Sequence, residues 1–314
     1  MAIFFSLYAL VACSQEENEA EAALSMAVKN YQGHLFVDFF EDGKDTQIGF
    51  YPCGVNRLFG IAEVSYFPGR AAHHRGEAAN RFLSCTDWIG PYYVCGFSNK
   101  QGGLPVRFTG GWHGSNGDGT GEPTAAAKDL TIRVDGHEMS GNFEKSCDQV
   151  DLVVTNLIQG YDYALSKKEL LRETVQYDIT VDRKIAVCVC IEALDDVVIQ
   201  RYYGLQSQNF SIFDSVSYAS NDRVCHTAPV KTNSNSPQVE GVNAIILTGA
   251  SNQHRLRLVL NNHEGLGTAE YLAPGLPRAF SASYGKSYFN LVNGRELVLE
   301  KGEKVFWEGA YYWD

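Results

Sequence analysis

Short runs rich in Val, Ile, Thr, Tyr and Phe recur along the chain from His34 onward, and Gly, Asn and Asp separate them. Such runs are typical of β-strands. In Lys184–Ala193 large aliphatic residues alternate with smaller ones, which places the large side chains on one face of a strand. No long stretch keeps a helical period, and no strand–helix–strand alternation indicates a parallel sheet. The sequence therefore predicts an all-β fold with little helix, built as a large, supersandwich-like antiparallel β-sandwich.

Three dipeptides predict tight chain reversals between strands. Asp135-Gly136 and Asp182-Arg183 each separate two strand-like runs. Asn293-Gly294 is the preferred pair for a two-residue type I′ turn. We therefore expect a hairpin between strands Tyr288–Val292 and Glu296–Glu300.

Composition narrows the classes of ligand. The 314 residues are 45% hydrophobic and 20% charged, which is enough apolar material for a real core. The formal net charge is −11, which argues against nonspecific nucleic-acid binding. Any anionic ligand must then meet a local basic pocket. We therefore expect no nucleic-acid partner. The Gly-rich stretch Gly114–Gly121 is not a phosphate loop, because no Gly-Lys-Ser/Thr follows it, and we expect no cofactor.

The N-terminal segment has the pattern of a targeting signal. Residues 1–12 are almost wholly apolar and end in Leu10-Val11-Ala12 before Cys13. This segment resembles a bacterial lipoprotein signal peptide with its lipobox. The resemblance implies a cleaved signal peptide over 1–12, lipidation of Cys13, and a location on the outer membrane or cell surface. An acidic tether with a short helix (Ala20–Tyr31) would occupy 13–30, and one β-sandwich domain would occupy 31–314. The alternative is a chance apolar N-terminus.

Cysteine and histidine spacing predicts no metal site. Apart from Cys13 the chain has seven Cys and no Cys-x-x-Cys pair. His73 and His74 are adjacent, so on a strand they point in opposite directions. Any disulfide pairing is left open by the sequence.

The segment Gly110–Asn116 is the sharpest candidate for chemistry. A predicted strand, Val106–Trp112, leads into a Gly-rich loop that carries Trp112, His113 and Asn116. Flanking glycines let the backbone approach a ligand, and histidine exchanges protons near neutral pH. The alternative is a loop histidine that only hydrogen-bonds a neighbouring strand.

Two further segments suggest a sugar-binding surface. Asp87, Trp88 and Tyr92 flank the Gly90-Pro91 turn, and an aromatic ring beside a carboxylate suits a pyranose. In a strand over residues 200–206, Gln200, Tyr202, Gly204 and Gln206 would form one polar and aromatic face. A core Trp and a solvated edge strand are the alternatives.

Three motifs together resemble a poorly characterised group of β-sandwich proteins. They are Thr86–Tyr92, Phe108–Gly114 and Tyr202–Gln206. That group occurs among bacterial secreted polysaccharide-processing proteins and phage tail proteins, and the resemblance spans Phe82 to Gln206. The chain is also similar, at the level of fold only, to polysaccharide lyase sandwiches. The resemblance implies a polysaccharide ligand.

The favoured hypothesis is a surface lipoprotein that binds an acidic, uronate-containing polysaccharide and cleaves it by β-elimination. Elimination needs a base, an acid and a group that neutralises the carboxylate. The hypothesis assigns His113 as base, Tyr202 as acid, and Asn116 with Arg201 or Arg107 as neutralisers. The residues assigned to hold the sugar are Trp88, Trp112, Asp87, Tyr92, Arg107 and Gln206.

Other functions stay open. The first alternative is a glycan-binding lipoprotein of a polysaccharide uptake system, without chemistry. A structural or adhesive surface protein is another. A glycoside hydrolase is less favoured, because no carboxylate pair is evident by position in the chain; its candidate acids are Glu63, Asp87, Glu122 and Asp151.

Overall fold

The computed structural model describes residues 24–41, 43–100, 103–238, 241–250 and 254–313. Within these ranges α-helix is confined to α1 (Arg70–Arg75) and α2 (Tyr163–Ser166), with short 3₁₀ turns at Phe97–Asn99 and Gly265–Thr268. None of the described helices has the length and apolar character needed to span a membrane. The predicted signal peptide and Cys13 lie outside the described residues.

The rest of the regular secondary structure in the described residues is strand, as the sequence predicts. In chain order they are β1 (Ser25–Tyr31), β2 (His34–Phe40), β3 (Asp45–Cys53), β4 (Leu58–Phe67), β5 (Asn80–Leu83), β6 (Tyr92–Gly96), β7 (Ala125–Val134), β8 (His137–Met139), β9 (Phe143–Cys147), β10 (Gln149–Gln159), β11 (Glu169–Thr180), β12 (Lys184–Ala193), β13 (Val197–Gln208), β14 (Phe213–Ser220), β15 (Arg223–Pro229), β16 (Ser234–Asn235), β17 (Val242–Gly249), β18 (Arg255–Leu260), β19 (Ala279–Ala282), β20 (Lys286–Leu299) and β21 (Lys304–Trp313).

The described strands pair into three antiparallel sheets. The largest has the order β15-β14-β17-β18-β21-β12-β11-β10-β7-β8. A second has the order β5-β4-β3-β2-β1-β9, and the third β16-β19-β20-β13-β6. The all-β, antiparallel prediction is confirmed. Lys184–Ala193 is the inner strand β12, with its large aliphatic side chains buried.

The two smaller sheets pack on the same face of the ten-stranded sheet. Phe50 of β3 meets Tyr177 of β11 with ring centroids 5.4 Å apart. The five-stranded sheet contacts another part of that face, where Trp307 of β21 donates a hydrogen bond from Nε1 to the hydroxyl of Tyr202 in β13, at 2.7 Å. One continuous hydrophobic core fills the space between the layers. The architecture is therefore a sandwich whose second layer consists of two sheets.

The N-terminal segment differs from its prediction. Ser25–Tyr31, expected to belong to a short helix in the tether, is strand β1, and it pairs with both β2 and β9. Met26, Val28 and Asn30 are buried while their neighbours are not. This period of two fits a strand at the core, not a helix, so Ser25–Asn30 belongs to the sandwich.

Two of the three predicted reversals are confirmed. Asp135-Gly136 joins β7 to β8, and Asp182-Arg183 joins β11 to β12. The hairpin at Asn293-Gly294 is wrong, because both residues lie inside the continuous strand β20. Gly294 has φ +75° there, and a Cβ on it would lie 2.6 Å from the Cβ of Ala273. The glycine thus accommodates an irregular strand against a neighbouring segment.

Candidate functional site

A buried carboxylate lies at the centre of the candidate site. The disulfide Cys53–Cys85 ties the end of β3 to the segment that carries Asp87. Asp87 is 4% exposed, and its Oδ1 accepts a hydrogen bond from the backbone N–H of Trp112 at 2.5 Å. Gly111 has φ +51°, and a Cβ on it would lie 2.1 Å from Oδ1 of Asp87. The carboxylate can therefore reach this backbone only because residue 111 is glycine.

The histidine predicted from the Gly-rich loop lies directly against this carboxylate. Nδ1 of His113 is 3.2 Å from Oδ2 of Asp87, and the imidazole side chain is 14% exposed. Nε2 makes no hydrogen bond to any residue that the structure describes. The loop itself is fixed from beneath, because Asn56 Nδ2 donates to the carbonyl oxygens of Gly111 (2.9 Å) and His113 (2.8 Å). A carboxylate on one imidazole nitrogen leaves the other nitrogen free to accept a proton.

A lysine from a distant strand completes the charge cluster. Lys286 of β20 donates hydrogen bonds to Thr86 Oγ1 (2.9 Å), the carbonyl oxygen of Asp87 (3.1 Å) and Gln206 Oε1 (3.1 Å). Its Nζ is 4.0 Å from Oδ2 of Asp87. Burial lowers the pKa of Lys286 to about 8, and the Asp87 carboxylate opposes that shift.

These contacts determine the charge of Asp87. Burial alone would raise its pKa, but His113, Lys286 and the Trp112 N–H outweigh burial, so the pKa of Asp87 is lower than its ordinary value. The carboxylate stays ionised next to the imidazole.

An aromatic band extends from His113 across the outer part of the five-stranded sheet. Phe108 lies 5.1 Å from the His113 ring, 4.0 Å from Tyr93 and 5.7 Å from Tyr203. The members of the band, each within ring-contact distance of the next, are Tyr93, Phe108, Tyr203, Phe280, Tyr288 and Tyr284. Four of these rings are half-buried, Tyr288 is buried, and Tyr284 is 73% exposed.

One cation borders this band. The guanidinium of Arg201 lies 5.1 Å from the Tyr93 ring centroid, and its Nη2 donates to Asn293 Oδ1 at 3.3 Å. Aromatic rings with a guanidinium between them suit a ligand that has apolar faces and an anionic group. Arg201 thus remains a candidate for charge neutralisation.

Trp112 is held at the edge of the site. A Cβ on Gly54 would lie 2.8 Å from the indole, and a Cβ on Gly119 would lie 2.2 Å from it. The indole therefore packs between two glycines. It is half-buried and meets the His113 ring edge-on at 5.5 Å. Its predicted role in holding a sugar stays a prediction.

Trp88 and Tyr92 require correction as ligand-binding residues. Trp88 is 3% exposed, packs edge-on against Tyr311 at 5.4 Å, and donates from Nε1 to Ser84 Oγ. Tyr92 is fully buried, and its hydroxyl donates to Glu173 Oε2 at 2.5 Å. Both rings are part of the core, which a sugar does not reach.

Tyr202 is also wrong as the catalytic acid. It is fully buried, stacked on Tyr92 at 4.3 Å, and its hydroxyl accepts the hydrogen bond from Trp307. Burial raises the pKa of Tyr202 far above its ordinary value. The predicted polar face of this strand fails because the pairing of β13 with β20 shifts register at three places. Alternation therefore does not continue through the strand.

The remaining predicted residues lie in or near the site and form hydrogen bonds to other parts of the protein. Gln206 is fully buried and holds Lys286, so it positions the cluster and does not face a ligand. Asn116 and Arg107 are exposed on the same loop as His113. Asn116 donates to Thr120 Oγ1 and Arg107 to the carbonyl of Ser115. Their roles as neutralisers stay predictions.

A second buried carboxylate, Glu173, lines the same small cavity as Asp87. The cavity has a volume of about 60 Å³ and is lined by both acids and Asn156. Burial raises the pKa of Glu173, against the hydrogen bonds from Tyr92 and Asn156. This volume suits water molecules and is too small for a sugar. Of the other acids left open, Glu63 is paired with Arg81 at 2.6 Å.

Sequence reasoning missed several residues of this site. Lys286, Asn56 and Tyr284 come from strands and turns far along the chain from His113, and no local motif marks them. Tyr203 lies within the Tyr202–Gln206 motif, but no role was predicted for it. The one available signal was the excess of aromatic residues over 280–288.

Comparisons with known proteins add little. No protein-family model matches the chain, and no curated protein matches its sequence. Among solved structures, a candidate mutarotase (YeaD) of Salmonella typhimurium has a TM-score of 0.39 and 8% identity, covering 92% of this chain and 93% of that one. The α-galactosidase of Lactobacillus brevis has a TM-score of 0.42 and 11% identity, covering 92% of this chain and 39% of that one. Similarities this distant do not indicate what this chain binds or does.

Proposed function

We propose that the protein binds an acidic polysaccharide along the aromatic band and cleaves it by β-elimination beside His113. The observation that carries the proposal is the Asp87–His113 pair at one end of that band. The rings supply apolar surfaces for successive sugars, and Arg201 supplies a cation for a uronate carboxylate.

In this mechanism Nε2 of His113 removes the proton from the carbon next to the uronate carboxylate. The electron pair of that C–H bond forms the new carbon–carbon double bond, and the bond to the glycosidic oxygen breaks. The ionised Asp87 carboxylate, 3.2 Å from Nδ1, offsets the positive charge that the imidazole gains in this step. The leaving glycosidic oxygen takes a proton from solvent water, and the proton on His113 then returns to water, so the step balances without a second side chain.

The test is the ultraviolet absorbance of the unsaturated product during incubation with a panel of uronate polymers. Wild-type protein should produce it from at least one polymer, and His113→Ala should not. His137→Ala, at an exposed histidine on β8, is the matched control and should behave as wild type. Protein that binds these polymers but never yields an unsaturated product would eliminate the lyase proposal.

A non-catalytic glycan-binding protein is the second candidate. Two observations favour it. Tyr202, which the sequence predicts as the catalytic acid, lies inside the core. Lys286 already donates its N–H groups to three protein oxygens. The aromatic band and Arg201 alone are enough to hold a sugar chain. In that case His113→Ala has no turnover to remove and affinity changes little.

We also propose that Cys13 carries a lipid that anchors the protein at the outer membrane or cell surface. The lipobox-like Leu10-Val11-Ala12-Cys13 supports this proposal. Metabolic labelling with a tagged fatty acid should mark the wild-type protein and not Cys13→Ala. Equal labelling of both proteins, or of neither, would contradict it.

A further inference from the structure

A polar groove crosses the outer face of the ten-stranded sheet, on the side away from the two smaller sheets. In β12, Ile185 and Val187 are buried in the core, and the residues that alternate with them face outward. Three of those outward residues line the groove, namely Lys184, Ala186 and Cys188. The groove has a volume of about 540 Å³, within the range of ligand-binding pockets. Nothing in the proposed polysaccharide mechanism uses its residues.

The register of the strands gives the groove its depth. A row of neighbours across β11, β12, β21 and β18 lies along its floor and consists of Asp178, Ala186, Ala310 and Val259. Three of these four residues are Ala or Val, so no long side chain covers the sheet along most of the row. At the usual spacing of strands the row is about 14 Å long. The floor can therefore take a ligand longer than one six-membered ring.

Longer side chains stand on both sides of this row. Lys184 and Tyr312 are cross-strand neighbours on one side. On the other side, Gln176 of β11 and Glu308 of β21 are level with each other across β12. The loop after β18 adds to this second wall, where Asn261 Nδ2 donates to Glu308 Oε2 at 3.4 Å. The groove therefore has two polar walls and a floor of mostly small residues.

Several polar groups on these walls are not used by the protein itself. Among the described residues, the ammonium of Lys184, the side-chain amide of Gln176 and the hydroxyl of Tyr312 have no hydrogen-bond partner. Another part of the same sheet face differs, because there Arg172 of β11 pairs with Glu192 of β12 at 2.7 Å. The groove thus brings donors and acceptors together at one place where a ligand can use them.

The mixture of charges indicates an uncharged ligand. Asp178 and Glu308 disfavour an anion, and Lys184 disfavours a cation. Carboxylate, amide and ammonium groups together accept and donate hydrogen bonds, as a set of sugar hydroxyls requires. The guanidinium of Arg257 lies 4.6 Å from the Tyr312 ring centroid and restricts the movement of that ring. An aromatic ring suits the apolar face of a pyranose, so these features together match a neutral sugar chain.

We propose that this groove binds a neutral oligosaccharide, with one sugar ring against Tyr312 and with sugar hydroxyls on Glu308, Gln176 and Lys184. The groove shares no residue with the His113 site, so the proposal does not depend on the cleavage of an acidic polysaccharide. A protein without lyase activity would still bind a neutral sugar chain here.

Protection of Cys188 from alkylation tests the proposal on the full chain. Cys188 is a free, half-buried thiol in the groove, and Cys225 is a free thiol outside it, on β15. The probes are cellotetraose, mannotetraose and galactotetraose, with tetragalacturonate as their charged counterpart. At about ten times its Kd, at least one neutral probe should slow the alkylation of Cys188 about tenfold and leave that of Cys225 unchanged. Tandem mass spectrometry of the peptides identifies the alkylated cysteine. No protection by any neutral probe, or stronger protection by tetragalacturonate, would overturn the proposal.

Variants at the two walls locate the ligand. Burial and the Glu308 carboxylate raise the pKa of Cys188, so Glu308→Gln should be alkylated faster without ligand, and affinity is taken from the ligand concentration that gives half of the full protection. We expect that concentration to rise about tenfold in Glu308→Gln and in Tyr312→Ala, because each variant loses a contact to the sugar. Glu138→Gln, at an exposed acid on β8 of the same sheet, is the matched control and should behave as wild type. Unchanged affinity in both Glu308→Gln and Tyr312→Ala would overturn the assignment.

Discussion

Nδ1 of His113 lies 3.2 Å from Oδ2 of Asp87, and the same carboxylate accepts the backbone N–H of Trp112 through its other oxygen. The loop that bears the histidine is therefore held by the acid that orients it. The hydrogen bond fixes the backbone of the loop, while Nδ1 is within ion-pair distance of the carboxylate without a hydrogen bond of normal geometry. The imidazole is thus placed beside an acid before any ligand arrives, as proton transfer in a binding site requires.

The loss of unfolding free energy at acid pH should depend on Asp87. Its pKa is lowered in the folded protein from an ordinary value of 3.8, so the ionised form contributes stability above that pH. The contribution is lost as the pH falls through the folded pKa. Asp87→Asn should therefore be less stable than wild type at neutral pH, and the difference should shrink below about pH 4. Urea unfolding across this range measures it; a constant difference would argue against an ionised Asp87.

Gly111→Ala should damage the site more than a simple backbone change explains. The added Cβ would overlap Oδ1 of Asp87, in addition to the cost of about 1–2 kcal/mol for φ +51°. Gly141 has φ +68° with nothing within 4 Å, so Gly141→Ala is the matched control for the backbone cost. We expect glycan binding and turnover to fall in Gly111→Ala only. Similar stability and activity in the two variants would contradict the close contact.

The two tryptophans near the loop should respond differently to truncation. Trp88→Ala empties a core position and should cost about 3–5 kcal/mol of unfolding free energy. Trp112→Ala, at a half-buried ring on the loop, should cost less stability and more glycan affinity. Thermal unfolding and affinity electrophoresis on the same two proteins decide this. A stable Trp88→Ala with lost affinity would restore Trp88 as a ligand-binding residue.

The Cys53–Cys85 disulfide should stabilise the fold and the Asp87 segment together. It closes a loop of 32 residues, for which a loss of about 2–4 kcal/mol on removal is typical. Replacing both cysteines by Ala should lower the unfolding temperature and weaken polysaccharide binding. Cys225→Ala removes a free, half-buried thiol and serves as control. Identical unfolding of the double variant and the control would mean that the bond contributes nothing.

The fold was predictable because strand alternation and turn residues are local signals. Asp135-Gly136 and Asp182-Arg183 form turns, as their position between two strand-like runs indicates. Asn293-Gly294 carries an equally strong turn signal, but the long pairing of β20 with β13 and the contact with Ala273 keep it in a strand. Tertiary pairing outweighed local preference there.

The candidate site was predictable in part for the same reason. His113, Trp112 and Asp87 stand in short glycine- and turn-containing motifs, so the sequence marks them. Tyr202 was misassigned because a register shift, which no local pattern reveals, turns its ring into the core. Lys286 is brought to Asp87 by sheet pairing across about 200 residues of sequence, and only the folded chain shows that contact.

The most direct test compares turnover and binding of one uronate polymer by wild-type, His113→Ala and Asp87→Asn proteins. The account predicts that His113→Ala loses turnover and keeps most of its affinity, and that Asp87→Asn loses about 10²- to 10⁴-fold in rate. Unchanged turnover in His113→Ala, with binding intact, would contradict the assignment of His113 as the base.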